Sequence, residues 1–198
     1  MNKIFLNLIS IFAVAAIAAT ATVAYFSDTE TSTGNVFAAG TLDLDVDENN
    51  GNNTVKFTVS NMKPTDAQTG IYTLNNTGSI AGYLDLESIS VANSENGILE
   101  PEQQAGDVTA DTGELQTLVD LYIWIDTDNN GLPNEAQIYS GKTGSVAGSY
   151  DVDQLIAASG NTYLGVKVDW PSQADDNKAM GDDFTLDLTF ELAQTIGQ

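Results

Sequence analysis

An alternation of apolar and acidic residues just after Gly40 constrains the fold of this chain more than any other feature. Residues 42–47 alternate strictly between Leu or Val and Asp. Because successive side chains of a β-strand point to opposite faces of its sheet, this period of two predicts a strand with one buried face. Residues 48–53 are rich in Asn and Gly, as turns often are, and residues 54–60 resume the alternation. The two runs together predict a β-hairpin.

Short apolar runs separated by turn signals continue to the end of the chain. Further strands are predicted at residues 70–75, 80–91, 118–126, 136–139, 162–170 and 183–193. The last run alternates so regularly that we expect it well inside a sheet. Many short strands, frequent turns and little helix predict one all-β domain, an antiparallel β-sandwich with one or two short helices.

Three irregular stretches interrupt the predicted strands. The phase of the alternation changes near Glu87 and Ser88, which predicts a β-bulge. Residues 93–114 are polar, acidic and punctuated by glycine, and they form either an ordered excursion or a mobile loop. Residues 151–158 carry three apolar side chains at helical spacing, which predicts a short surface helix.

The first 24 residues have the layout of a secretory signal peptide. Lys3 precedes an apolar run over residues 4–19, and small residues lead up to Ala24. A retained membrane anchor is the alternative, because the apolar run approaches the length of a membrane-spanning helix. Cleavage after Ala24 is favoured, and we therefore expect a secreted, extracellular protein. The predicted division is a signal peptide at 1–24, an extended segment at 25–39 and a sandwich domain at 40–198.

The charge balance excludes several classes of partner. The chain has 28 acidic residues against 6 basic ones, and its formal net charge is −22. Such a charge repels phosphate backbones and anionic lipids, so nucleic acid and anionic membrane surfaces are excluded. We interpret most of these carboxylates as a solvated surface, including Asp43, Asp45 and Asp47 on one strand face and the pair Asp182 and Asp183. Weak cation binding or bridging between subunits is the alternative for these clusters. The sequence contains no Cys, which excludes disulfides and thiolate metal sites.

Several separated stretches carry a family likeness. They are Tyr25-Phe26-Ser27-Asp28 directly after Ala24, Phe37-Ala38-Ala39-Gly40-Thr41-Leu42-Asp43-Leu44, Asn61-Met62-Lys63-Pro64, Leu74-Asn75-Asn76-Thr77-Gly78-Ser79 and the strand over 184–194. In combination they resemble the TasA/camelysin family of secreted biofilm-matrix proteins. The resemblance implies a jelly-roll-like sandwich that is secreted and assembles into extracellular fibres.

The resemblance also implies how the fibres form. The mature N-terminal segment of one subunit would pair with strands of the next, giving a head-to-tail homopolymer whose filaments bundle laterally. We assign residues 25–36 as the donor, with Tyr25, Phe26, Val36 and Phe37 as groove-filling side chains. An open sheet edge offers unpaired backbone N–H and C=O groups to such a strand. Because donor and acceptor are different surfaces of the same molecule, the contact can repeat from subunit to subunit and form a filament. The alternative is a frayed tail or a strand that folds back on its own sheet.

One loop has the side chains of a calcium site. Asp126, Asp128 and Asn130 place oxygens at alternating positions before a glycine, and Glu135 is a later candidate ligand. An EF-hand is excluded because its twelfth position is Gln137 and no helix pair flanks the loop. The same residues also suit an ordinary β-turn. Calcium is the one cofactor we consider, and none is required.

Two short motifs concern modification. Asn52 and Asn75 each begin an Asn-x-Thr sequence, which is an acceptor for N-glycosylation in organisms that glycosylate secreted chains. Both are therefore candidate glycosylation sites.

Two other functions remain as alternatives to a filament subunit. One is a monomeric secreted or surface-displayed sandwich that binds calcium or carbohydrate, with residues 93–114 as its binding loop. The other is a metallopeptidase, because camelysin-like proteins are described as such. The sequence contains no His, and so lacks the usual general base and the His-Glu-x-x-His zinc motif. We therefore predict a protein that is not an enzyme.

Overall fold

The computed structural model describes residues 39–48, 62–108 and 112–197. The predicted signal peptide, most of the extended segment and the predicted strand over 54–60 lie outside these residues. Within the described ranges, no helix has both the length and the apolar character needed to span a membrane.

The described residues form eight strands in two sheets. In chain order they are β1 (Leu44–Val46), β2 (Ala67–Asn76), β3 (Gly82–Ser94), β4 (Asp120–Ile125), β5 (Gln137–Lys142), β6 (Tyr150–Ile156), β7 (Asn161–Asp169) and β8 (Asp183–Ala193). Among them, five strands pair in the order β1-β2-β7-β4-β5 and three in the order β6-β3-β8. Every pairing is antiparallel. The prediction of an all-β antiparallel sandwich is confirmed.

Helical structure in the described part of the chain is confined to short segments. Helix α1 (Glu100–Ala105) lies in the excursion after β3, and α2 (Leu115–Leu118) leads into β4. Two short 3₁₀ segments, Thr143–Ser145 and Asp176–Ala179, precede β6 and β8. The excursion over 93–114 thus contains an ordered helix.

The helix predicted at residues 151–158 is wrong, because β6 occupies most of this range. Its backbone is held by the buried carboxylate of Asp85 on β3. Oδ1 of Asp85 accepts hydrogen bonds from the amides of Val152 at 2.7 Å and Asp153 at 2.8 Å. Asp153 has a φ of 53°, and the β3–β6 register shifts opposite it. Pairing with β3 therefore overrides the local spacing of apolar residues.

The core lies between the two sheets. Leu84 and Leu86 of β3 face side chains of the larger sheet in one apolar cluster. The rings of Tyr72 on β2 and Phe190 on β8 are 5.7 Å apart, which brings the two sheets into direct contact. The side chains exposed by 1% or less include Leu74, Leu84, Leu86, Val119, Leu121, Ile123, Trp124, Ile156, Leu164 and Val166.

Strand β8 lies at an edge of the smaller sheet. Its register with β3 shifts between Leu86 and Ser88, which confirms the predicted bulge. Among the described residues β8 pairs with β3 alone, so within them it is an edge strand, whereas the sequence led us to expect it well inside a sheet. Regular alternation reports one buried face, and an edge strand has such a face as readily as a central one.

The turn after β2 holds the chain at the entrance to β1. The amide of Thr77 donates to Asp43 O at 2.8 Å, and that of Ser79 donates to Thr41 O at 2.9 Å. A Cβ at Gly78 would lie 2.2 Å from Thr41 O, so only glycine permits this approach. Buried Asn76 closes the turn by donating from Nδ2 to Ile80 O at 2.8 Å. The turn therefore fixes where the N-terminal segment leaves the domain.

We expect Gly165→Ala to lower the free energy of unfolding by about 1–3 kcal/mol, because a Cβ there overpacks the core. Gly165 on β7 lies opposite Trp124, and an added Cβ would lie 2.1 Å from Trp124 Cζ2. Urea unfolding measures the effect. Gly148→Ala is the matched control, since a Cβ at Gly148 meets nothing within 4 Å. Equal stability of the two variants would contradict this packing.

Candidate functional site

The first candidate site is the open edge of β8, the side on which no strand pairs with it among the described residues. Its apolar face is only half-buried, whereas Leu84 and Leu86 on the neighbouring β3 are fully buried. The half-buried side chains are Phe184, Leu186, Leu188, Phe190 and Leu192. Along 11 residues, β8 therefore presents both a backbone edge and an incompletely covered apolar face. The predicted donor residues Tyr25, Phe26, Val36 and Phe37 lie outside the described residues.

The predicted calcium loop brings three carboxylates together. Oxygens of Asp126, Asp128 and Glu135 lie within 4.8 Å of one another. Asn130 lies in the same loop, but its side-chain oxygen accepts a hydrogen bond from the amide of Leu132 at 2.6 Å. The structure thus collects three of the four predicted ligands and directs the fourth side chain to the backbone.

Backbone amides already bind much of this loop's negative charge. The carboxylate of Asp126, which is fully buried, accepts from the amides of Asn130 at 3.1 Å and Gly131 at 2.9 Å. Glu135 Oε2 accepts from the amide of Thr127 at 2.6 Å. These are the bonds of a self-closed turn. Calcium binding at this loop stays a prediction.

A second acidic cluster lies where the excursion after β3 meets the start of β8. Glu95 follows β3, Glu102 lies in α1, Asp107 follows α1, Glu114 precedes α2 and Asp182 precedes β8. Oxygens of Glu95, Glu102 and Asp182 lie within 4.8 Å of one another, and so do those of Glu95, Asp107 and Glu114. The sequence did not predict this cluster, because its members are far apart in the chain, and Asp182 was interpreted as part of a solvated surface.

Local hydrogen bonds fix the geometry of this cluster. Asp182 Oδ2 accepts from the amides of Glu114 at 2.6 Å and Leu115 at 3.2 Å, at the start of α2. Glu102 Oε2 accepts from the amide of Leu99, the residue that precedes α1. Each of these two carboxylates therefore has one oxygen bound by backbone amides.

The carboxylates of the cluster shift the pKa of the ionisable groups beside them. Burial, followed by the charge of Asp182 and a hydrogen bond with it, raises the pKa of Glu95 to about 7. On the other side of the cluster, Asp175 raises the pKa of Lys178, and Asp107 and Glu114 add smaller contributions. One ammonium group thus offsets part of the negative charge at the Asp107 and Glu114 side.

The candidate glycosylation sites differ in their placement. Asn75 lies within β2, between partner residues Asp45 on β1 and Asn161 on β7. Its sequon residue Thr77 donates its hydroxyl to Asp43 O at 3.2 Å. Asn52 lies outside the described residues. Glycosylation at either position stays a prediction.

Comparison with known families gives one match. The sequence model of a family described as camelysin metallo-endopeptidase matches residues 2–198. This confirms the resemblance drawn from the separated stretches of sequence. No curated protein matches the chain significantly.

The family description corrects one prediction. A family described as a metallo-endopeptidase points to a peptidase, so the prediction that the chain is not an enzyme is wrong. The description also implies a metal. The sequence has no His or Cys for a typical zinc site, but the clustered carboxylates are suitable ligands for a hard cation.

We expect Asp126→Ala to lower the free energy of unfolding by about 2 kcal/mol, because the amide of Gly131 loses its acceptor and the amide of Asn130 keeps only Asp128 Oδ1. Denaturant unfolding in the presence of a chelator measures this without any cation. Asp128→Ala is the matched control, because Asp128 is exposed. Its effect should stay below about 1 kcal/mol. Equal losses in both variants would contradict the self-closed turn.

Proposed function

The chain belongs to the family described as camelysin metallo-endopeptidase. Because it also resembles the TasA/camelysin proteins of biofilm matrices, we propose that it is a secreted structural subunit of an extracellular filament. Each subunit donates residues 25–36 to the open edge of β8 in the next subunit. The observation that carries this proposal is the half-buried apolar face of an 11-residue edge strand.

The edge has the properties of an acceptor. An unpaired edge strand presents a row of backbone N–H and C=O groups to any extended segment. Covering a half-exposed Leu or Phe contributes roughly 1 kcal/mol per side chain. A donated strand therefore gains both backbone hydrogen bonds and apolar burial along β8. Tyr25, Phe26, Val36 and Phe37 are the apolar side chains that the donor brings.

The first described residues of the domain lie close to this edge. A Cβ at Gly82 would lie 2.7 Å from Leu192 Cγ and 2.9 Å from Leu42 Cδ2, so Leu42 lies beside the C-terminal end of β8. At about 3.3 Å per residue, residues 25–39 reach about 50 Å, while β8 is about 36 Å long. The segment is long enough to cover the whole edge of a neighbour.

Donor and acceptor are different surfaces of the same chain, so the contact is heterologous and propagates into a filament. A net charge of −22 per chain makes filaments repel one another. Salt or divalent cations that screen or bridge this charge favour lateral bundling. The filament thus accounts for both the open edge and the strongly acidic composition.

The direct test compares two purified chains by negative-stain electron microscopy. The chain that begins at Tyr25 should form filaments, and the chain that begins at Gly40 should remain monomeric because it has no donor. Circular dichroism verifies that both are folded. Filaments from both chains would place the joint elsewhere, and monomers from both would favour a monomeric binding domain.

A synthetic peptide of residues 25–39 sharpens this test. Added in excess, it should occupy the β8 edge and shorten filaments of the chain that begins at Tyr25. The matched control is the same peptide with Phe26→Asp, which cannot fill an apolar groove without burying a charge. Equal inhibition by both peptides would contradict groove filling by Phe26.

A second candidate function, peptide-bond hydrolysis, rests on the family description. Carboxylates can serve as general acids and bases, and the cluster around Glu95 collects several of them. Cleavage of a fluorescently labelled unfolded polypeptide measures this activity. Glu95→Gln should abolish it, while Glu87→Gln on the exposed surface of β3 should not. Absence of cleavage by the unsubstituted chain, or equal cleavage by both variants, would exclude hydrolysis at this cluster.

A further inference from the structure

We propose that Glu95, Glu102 and Asp182 bind a hard divalent cation of the calcium type at the junction of α1, α2 and β8. This cation would join the excursion after β3 to the strand that forms the open edge. The site differs from the calcium loop at Asp126, and it goes beyond the filament proposal, which does not require it.

The buried side chain of Glu102 is the observation that points to a ligand. Glu102 is 0% exposed, and its Oε1 accepts no hydrogen bond from the described residues. One carboxylate oxygen of Glu102 lies within 4.8 Å of a carboxylate oxygen of Glu95 and of one of Asp182. A buried carboxylate oxygen without a donor costs several kcal/mol unless a proton or a cation binds it. Helix α1 thus holds a buried carboxylate beside two further acids.

The neighbouring acids Glu95 and Asp182 also have buried carboxylate oxygens that a proton or a cation would stabilise. Both oxygens of Glu95 and Oδ1 of Asp182 are also buried, and among the described residues they have no donor other than a proton shared between these two acids. Ion pairs within the described part of the chain engage Asp66, Asp120, Asp169 and Asp175, and none of them engages these three acids. Three like charges held this close repel one another strongly. A shared cation converts that repulsion into attraction.

The spacing suits an oxygen-coordinated ion. Calcium binds oxygen ligands at about 2.4 Å, so oxygens on opposite sides of the ion are about 4.8 Å apart. The three carboxylates lie within that limit. Asp107 and Glu114 lie beside Glu95 and complete an all-carboxylate environment. Hard cations such as calcium prefer such oxygens, whereas a typical zinc site uses His or Cys.

The backbone already holds the ligands in place. Asp182 Oδ2 accepts from two amides at the start of α2, and Glu102 Oε2 accepts from the amide of Leu99. These bonds leave both carboxylates, which lie within the cluster, little freedom to turn away from it. Pre-organised ligands of this kind lose little conformational entropy on binding.

Calorimetric titration of calcium into the chain that begins at Tyr25, after removal of cations with a chelator, tests the proposal. Glu102→Gln and Asp182→Asn keep a backbone acceptor but remove one charge each. Either should weaken one binding event by roughly tenfold or more. Saturating calcium should raise the thermal midpoint of the unsubstituted chain by about 5 °C, and this rise should be lost in both variants.

Two controls separate this site from others. Glu87→Gln on β3 should retain the binding event and the rise in thermal midpoint, and Asp128→Asn in the calcium loop should retain the binding event that Glu102→Gln weakens. In chelator, Glu102→Gln should be at least as stable as the unsubstituted chain, because it relieves repulsion between buried charges. If Glu102 had only a structural role, Glu102→Gln would be less stable than the unsubstituted chain in chelator. Unchanged binding in Glu102→Gln, loss only in Asp128→Asn, or no effect of calcium at all would overturn the proposal.

Discussion

The apolar layer between two unequal sheets is the interaction on which the rest of this protein depends. The sequence has no cysteine, so the sandwich relies on side chains such as Leu84, Leu86 and Leu164 to hold the sheets together. In the described residues the smaller sheet has only three strands, and its central strand β3 is fully flanked. Its edge strand β8 carries apolar residues that this layer covers only in part. We propose that a strand donated by another subunit extends this smaller sheet at β8.

The second constraint is charge. With 28 acidic residues and 6 basic ones, most carboxylates have no ammonium group to pair with. The fold binds the buried ones with backbone amides instead. Asp85 holds β6 in this way, Asp126 closes its loop, and Asp182 caps the start of α2. Around Glu102 the amides do not suffice, and there we place a cation.

The sequence predicted the strands well because their alternation is local. The sandwich, the bulge beside Ser88 and the strand at the C-terminus could all be derived from the spacing of apolar residues. The strand β6 could not, because its backbone follows a carboxylate 67 residues away at Asp85. The acidic cluster was missed for the same reason, since Asp182 meets Glu114 across 68 residues. Sheet order is likewise non-local, which is why β8 was expected inside a sheet. The calcium loop was found because its carboxylates are neighbours in sequence.

Hydrogen exchange of the β8 amides in monomers and in filaments tests the central claim most directly. The measurement follows the chain that begins at Tyr25, before and after assembly. We expect the outward-facing amides of β8 to become strongly protected in the filament, because the donor strand binds them, while those of the edge strand β5 stay unchanged. Unchanged exchange along β8, with new protection confined to β5 or β6, would contradict strand donation to this edge.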